Sequence, residues 1–217
     1  MALNKHETYD LYSKRAARYD LSVRIYPLFG FDLKRYRQDT VAALALGAGD
    51  SVVELGCGTG LNFEHVRHKV GSTGKIIGVD LTDSMLNVAR TRVAKEGWDN
   101  VELVQADVAE WTIPEGVAAI FSTLALTLVP EYDAVIERAS QALHVGGRLA
   151  VFDMKEPTTW PHWLVRFVAW LNKPFGVSLD LADRHPWESI RRNLTEIEFR
   201  EYYFGALYLC VGEKHSY

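Results

Sequence analysis

One stretch limits the fold of this chain more than any other. Val52-Val53-Glu54-Leu55-Gly56-Cys57-Gly58-Thr59-Gly60 is an apolar run that ends in three glycines at alternate positions. The run reads as a buried strand, and the amphipathic pattern from Asn62 to Val70 reads as the helix after it. Between them the backbone must turn sharply and come within contact distance of a ligand, where a Cβ would collide. The spacing is G-x-G-x-G. A dinucleotide fingerprint is G-x-G-x-x-G, whereas here Leu61 and Asn62 follow the last glycine, which disfavours a nicotinamide oxidoreductase. Glu54, just ahead of the loop, would repel a pyrophosphate and suits a cationic group such as an amino-acid ammonium or a sulfonium.

Around this loop the chain alternates β-rich runs with amphipathic segments, the signature of βαβ units and a parallel sheet. The runs are Ser51–Leu55, Lys75–Asp80, Val101–Ala106, Val117–Thr123 and Gly147–Phe152, with helices expected at Asn62–Val70, Ser84–Glu96 and Tyr132–Leu143. The tail differs. Ile197–Phe204 and Ala206–Gly212 are separated by Gly205 alone, too little for a crossover helix, so they pair as an antiparallel hairpin at a sheet edge. Lys5–Tyr19 and Phe31–Leu46 read as helices of an N-terminal cap spanning residues 1–47, broken around Pro27 and Gly30. An insertion at 154–194 holds four of the six tryptophans, a concentration suited to a substrate wall or lid. At 217 residues the whole reads as a single domain with these two appendages.

Acids stand at the ends of three successive strands: Glu54, Asp80 and Asp107. Asp80 is placed to accept both hydroxyls of a ribose, and Asp107 to accept from the exocyclic amino group of a base. The carboxyl edge of an open α/β sheet is where ligands bind, so the three acids describe an adenosine with a positively charged tail.

In this combination the sequence resembles the class I S-adenosylmethionine-dependent methyltransferases, from about Tyr9 to the end of the chain. VVELGCGTG, IIGVDLTDSML and VQADV are similar to that family's first three motifs, and LHVGGRLAVFD to its passage into the fifth strand. The resemblance implies a Rossmann-like, doubly wound seven-stranded α/β sheet and S-adenosyl-L-methionine as cofactor. It places Gly56, Cys57, Gly58, Thr59, Gly60 and Asn62 in the first binding segment. Asp80, Leu81 and Met85 form the second and Asp107 and Val108 the third, with Ser122 and Thr123 where methyl donor and acceptor meet. YSKRAARYD, from Tyr12 to Asp20, is similar to a stretch in the quinone-biosynthesis and bacterial phosphatidylethanolamine N-methyltransferase group, where the tyrosines lie over the cofactor. Tyr12 and Tyr19 are carried over on that ground. His185-Pro186-Trp187 and EYYFGALYL look closer to the phospholipid enzymes. FSTLALTLVP lacks the Asp or Asn with nearby Pro that many relatives methylating amide or ring nitrogens carry, which argues against nucleic-acid bases. The implied acceptor is a small or lipid-like molecule, either a phospholipid amine or a quinone-like metabolite methylated on carbon or oxygen. A non-catalytic cofactor-binding protein is the competing class.

For proton transfer or acceptor contact the candidates are Tyr19, Asp153, His162 and His185, each weighed against an ordinary structural role. Asp80 competes as a helix-capping acid beside Thr82, Asp83 and Ser84. Trp160, Trp163 and Trp170 share a helical face with Leu164 and Phe167, which either packs on the sheet or meets an apolar acceptor or membrane interface. Residues 1–40 carry eight Lys/Arg against five Asp/Glu, a net +3, while residues 41–153 carry eight against fifteen, a net −7. No basic face large enough for a nucleic acid is visible. The basic arm is either a solvated helix surface or a contact for an anionic headgroup. Cys57 and Cys210 are too few for a disulfide scaffold and have no metal-ligand spacing. The first residues contain Lys5, His6 and Glu7 and no apolar core of a secretory signal, and Trp160–Leu171 falls short of the roughly 18 apolar residues a membrane span needs. The expected location is cytoplasmic, with peripheral membrane contact as the open question.

Overall fold

The computed structural model describes residues 5–13, 20, 32–157, 160, 161, 163, 165, 166, 170, 181 and 183–216. Seven strands form one sheet: β1 (Ser51–Leu55), β2 (Lys75–Asp80), β3 (Val101–Gln105), β4 (Val117–Thr123), β5 (Leu143–Met154), β6 (Thr195–Tyr202) and β7 (Leu207–Glu213). Their order is β3-β2-β1-β4-β5-β7-β6. The first five are mutually parallel, and β7 runs antiparallel between β5 and β6. This is the Rossmann-like α/β sheet with a C-terminal hairpin that the pattern predicts.

Helices cover both faces: α1 (Lys5–Ser13), α2 (Leu33–Ala43), α3 (Phe63–Val70), α4 (Asp83–Glu96), α5 (Tyr132–Ala142) and α6 (Pro186–Asn193). Strand alternation sends neighbouring residues to opposite cores. Val53, Ile77 and Ile120 pack with Val135, Ile136 and Ala139 of α5 and Ile190 of α6. Val52, Ile76 and Phe121 pack on the other side with Leu33 and Val41 of α2, Phe63 and Val66 of α3, and Leu86 and Ala89 of α4. Burial of both faces is why the central strands are apolar throughout instead of alternating.

Three connections show detail that the sequence pattern did not specify. The crossover from β3 to β4, residues 106–116, contains no helix. It is held by Arg138 of α5, whose guanidinium donates to the carbonyls of Val108 and Ala109 at 3.0 and 2.8 Å. Next, β5 begins at Leu143 instead of Gly147, because Leu143 already pairs with Val117 and the register shifts before Ala119. Finally, the insertion closes with α6, which Pro186 starts and whose Ile190 enters the core. The hairpin turn is tighter than a single glycine requires: Tyr203 and Phe204 both take positive φ, 47° and 55°. Residues 14–19 of the expected first helix lie outside the described residues. Among the described residues no helix is long and apolar enough to cross a membrane, and no group of three or more His, Cys, Asp or Glu is arranged to hold a metal.

Candidate functional site

The strand order reverses between β1 and β4, and in open α/β sheets a crevice opens at the carboxyl ends of the strands on either side of such a point. A cavity of about 130 Å³ lies there. That is about ten times the 10–15 Å³ that one water requires, so the space suits a ligand. Four segments wall it: the glycine loop after β1, Asp80 to Thr82 after β2, Asp107 and Val108 after β3, and Thr123 to Ala125 after β4, joined by Leu128, Val129 and Pro130.

The three loop glycines have different jobs. All have positive φ. A Cβ on Gly56 would stand 2.4 Å from the Ala125 Cβ, and one on Gly60 2.5 Å from the Phe63 ring, so both are fixed by protein packing. Among the described residues a Cβ on Gly58 would meet no protein atom within 4 Å, and Gly58 lines the cavity. Of the three, this glycine alone has open space beside it among the described residues. Cys57 and Thr59 also line the cavity, while Gly60 does not.

Asp80 shapes the loop as well as facing the cavity. Its Oδ2 accepts the Gly58 N–H at 2.8 Å and its Oδ1 the Thr82 N–H at 2.8 Å. Burial raises its pKa above the ordinary aspartate value, against the lowering effect of those backbone N–H groups. Each carboxylate oxygen keeps a second lone pair, so both can still accept a ligand hydroxyl. Asp107 lines the cavity and accepts the Ala109 N–H at 2.9 Å. Leu81, Met85 and Val108 are also part of the wall. At the end of β4, Leu124 takes a positive φ of 57°, a strained turn for a non-glycine residue, and its N–H donates to the Phe152 carbonyl at 2.8 Å. That turn swings Ala125 against Gly56.

Glu54 is placed differently from its expected position beside the ligand. It is 1% exposed and outside the cavity wall, and its Oε1 accepts the Asn62 amide at 2.5 Å. Burial pushes its pKa up to about 8, despite the Asn62 hydrogen bond and the nearby Arg37 charge, so the side chain is mostly neutral at pH 7. The side chain of Asn62 also donates to Thr123 Oγ1 at 2.9 Å. The same oxygen accepts Arg37 Nη1 at 2.7 Å, and Arg37 and Thr123 both line the cavity. The polar group presented at this end is therefore a guanidinium, with the carboxyl sealed behind it. Asn62 and Ser122 are fully buried and outside the wall.

Asp153 is also removed from the cavity. It is fully buried, accepting the Thr127 and Met154 N–H groups at 2.9 and 2.8 Å, and burial moves its pKa up to about 6. Its visible work is to hold the turn after β4. His185 precedes α6, its Nδ1 3.4 Å from Glu188 Oε1, and does not line the cavity. Tyr19 and His162 lie outside the described residues, as does the Tyr12 side chain, although Tyr12 falls within α1. From the same N-terminal stretch, Asp20 Oδ1 accepts the Thr59 hydroxyl at 2.6 Å and its Oδ2 pairs with Arg92 at 2.5 Å, tying the cap to the glycine loop. Trp163 and Trp170 are 69% and 68% exposed, so these two do not pack on the sheet.

A family model described as a methyltransferase domain matches residues 46–177, more than half of the chain. The chain belongs to this methyltransferase family. Among curated relatives, the arsenite methyltransferase of Halobacterium salinarum is 32% identical over 121 residues, covering 55% of this chain but only 31% of that protein. The demethylmenaquinone methyltransferase of Listeria monocytogenes is 27% identical over 169 residues, 76% of this chain and 69% of that protein. The fold is also that of the Streptomyces coelicolor geranyl diphosphate C-methyltransferase, solved with Mg²⁺, geranyl diphosphate and S-adenosyl-L-homocysteine. That structure superposes with a TM-score of 0.67 at 15% identity, over 83% of this chain and 79% of that one.

Proposed function

We propose that this methyltransferase transfers a methyl group from S-adenosylmethionine to a small or lipid-like acceptor. The observation that carries the reading is the cavity at the sheet reversal, where Gly58 leaves room beside two strand-end carboxylates. The residues fit the cofactor: Asp80 would hold the ribose, Asp107 the adenine, and the glycine loop the methionine part. Bound there, the sulfonium supplies an electrophilic methyl group and leaves as a neutral thioether. The protein's own task is to hold donor and acceptor in line and exclude water, which contributes up to about 7–11 kcal/mol through positioning.

The apolar wall of Leu124, Ala125, Leu128, Val129 and Pro130 favours an acceptor with a substantial hydrocarbon part. Resemblance to demethylmenaquinone methyltransferases supports a quinone-like acceptor and the tail motifs support a phospholipid amine, while the N-terminal motif is common to both groups; both acceptors share that apolar character. Neither Asp153 nor His185 lines the cavity, so proton removal by either is not part of the reading.

The test is transfer of labelled methyl to a panel containing a demethylated quinol, phosphatidylethanolamine vesicles and arsenite. Labelled quinol or lipid is the expected outcome. Transfer to arsenite alone would refute the apolar acceptor, and cofactor binding with no transfer to any compound would favour a regulatory protein.

A further inference from the structure

The apolar wall of the cavity has little structure of its own. Leu124, Ala125, Leu128, Val129 and Pro130 line the space, yet they belong to the connection after β4 and not to a strand or a long helix. The regular element there is a single 3-10 turn, Leu126–Leu128. Inside it the Leu128 N–H donates to the Ala125 carbonyl at 3.1 Å and the Val129 N–H to the Leu126 carbonyl at 3.0 Å. A turn that short does not hold its place by itself, so its position is set from outside.

Thr127, the middle residue of the turn, is buried behind the wall and is gripped on both sides. Its N–H donates to Asp153 Oδ2 at 2.9 Å, and its carbonyl accepts Arg184 Nη1 at 2.6 Å. Both are bonds to charged groups, stronger than neutral pairs. The two anchors come from different parts of the chain. Asp153 lies in β5 and its other oxygen accepts the Met154 N–H at 2.8 Å, so it is as fixed as the sheet. Arg184 comes from the end of the insertion, where its own N–H donates to the Leu181 carbonyl at 3.1 Å and α6 starts two residues later. Neither anchor lines the cavity, so each reaches a ligand only through Thr127.

We propose that Arg184 is a positioning residue for methyl transfer: by holding the Thr127 carbonyl it keeps Leu128, Val129 and Pro130 against the acceptor and so sets the acceptor's alignment with the methyl donor. This rests on the apolar-acceptor reading above. A misplacement of about 1 Å at a reacting centre costs about 100-fold in rate, because alignment supplies so much of the acceleration. The bond also gives the insertion an influence on the reaction that needs no contact with the ligand.

Arg184→Met keeps an unbranched stem and removes the donors. Methyl transfer is measured at saturating cofactor to a demethylated quinol or to phosphatidylethanolamine vesicles, whichever the wild type methylates. In Arg184→Met the rate is expected to fall by about 30- to 100-fold, while affinity for S-adenosyl-L-homocysteine by calorimetry stays within about 2-fold. Hydrogen exchange at the Leu128 and Val129 amides should speed up by about 10-fold, the effect of losing one charge-assisted bond, with the Gly58 amide unchanged. Arg184→Lys, a point charge without the planar fork, carries the test if the Met variant does not melt cooperatively; its expected loss of rate is about 10-fold. Arg192→Met, exposed on α6 and paired with Asp133, leaves transfer unchanged. Transfer within about 3-fold of wild type in a folded Arg184 variant, unchanged exchange at Leu128 and Val129, or an equal loss of rate and cofactor affinity would each overturn the assignment. A wild type that methylates neither compound would instead overturn the acceptor reading on which it rests.

Discussion

Replacing Asp80 with alanine is expected to weaken binding of S-adenosyl-L-homocysteine by at least about 100-fold, the effect of removing charged acceptors from two ligand hydroxyls. The loss has two origins. Asp80 is proposed to take the ribose, and it also holds the Gly58 and Thr82 N–H groups at 2.8 Å. Without it the loop around Gly58, the one glycine of that loop with open space among the described residues, loses its anchor. Stability should fall by only about 1–2 kcal/mol, because losing two backbone hydrogen bonds is partly offset by removing a desolvated charge. Calorimetric titration beside urea unfolding checks both numbers. Wild-type affinity in Asp80→Ala would remove Asp80 from the site.

Glu54→Gln should have the opposite effect on the fold. The folded protein keeps a proton on Glu54 up to about pH 8, whereas the unfolded chain loses it near the ordinary value of 4.5. The folded state therefore binds more protons throughout that window, and wild-type stability drops as pH rises through it. Glutamine retains the oxygen that accepts from Asn62 and puts an amide where the proton sat. At pH 8 the variant is expected to be more stable by roughly 4 kcal/mol, and at pH 5 to match wild type within about 1 kcal/mol. Urea denaturation at the two pH values measures this. Equal pH dependence in both proteins would show that Glu54 is not the buried proton carrier. The raised Asp153 value, about 6, acts in the same direction at lower pH and stays in both proteins.

The sheet was legible because each central strand is a short apolar run ending at a turn signal, and the hairpin because Gly205 leaves no room for a crossover. The β3–β4 connection was harder. A helix was not predicted there and none formed, but the arginine that holds the loop comes from α5, far along the chain. Strand-end acids were readable as positions, yet not as orientations: Asp80 and Asp107 line the cavity, while Glu54 and Asp153 are sealed in protein. Side-chain direction after a strand depends on the turn that follows it, and sequence spacing does not specify that turn. Arg37 was missed because LKRYRQD reads as a solvated basic surface. The signal that could have found it is its spacing, four residues from both Leu33 and Val41, inside the helix's buried stripe. The loop glycines taught a related lesson, since Gly56 and Gly60 are required by Ala125 and Phe63 and Gly58 alone opens outward.

The most direct test is titration of the folded wild-type protein with S-adenosyl-L-homocysteine and, separately, with NAD. Saturable one-to-one binding of the nucleoside and no heat with the dinucleotide is the predicted result. A flat titration with S-adenosyl-L-homocysteine from protein that unfolds cooperatively, or binding of NAD in its place, would contradict it.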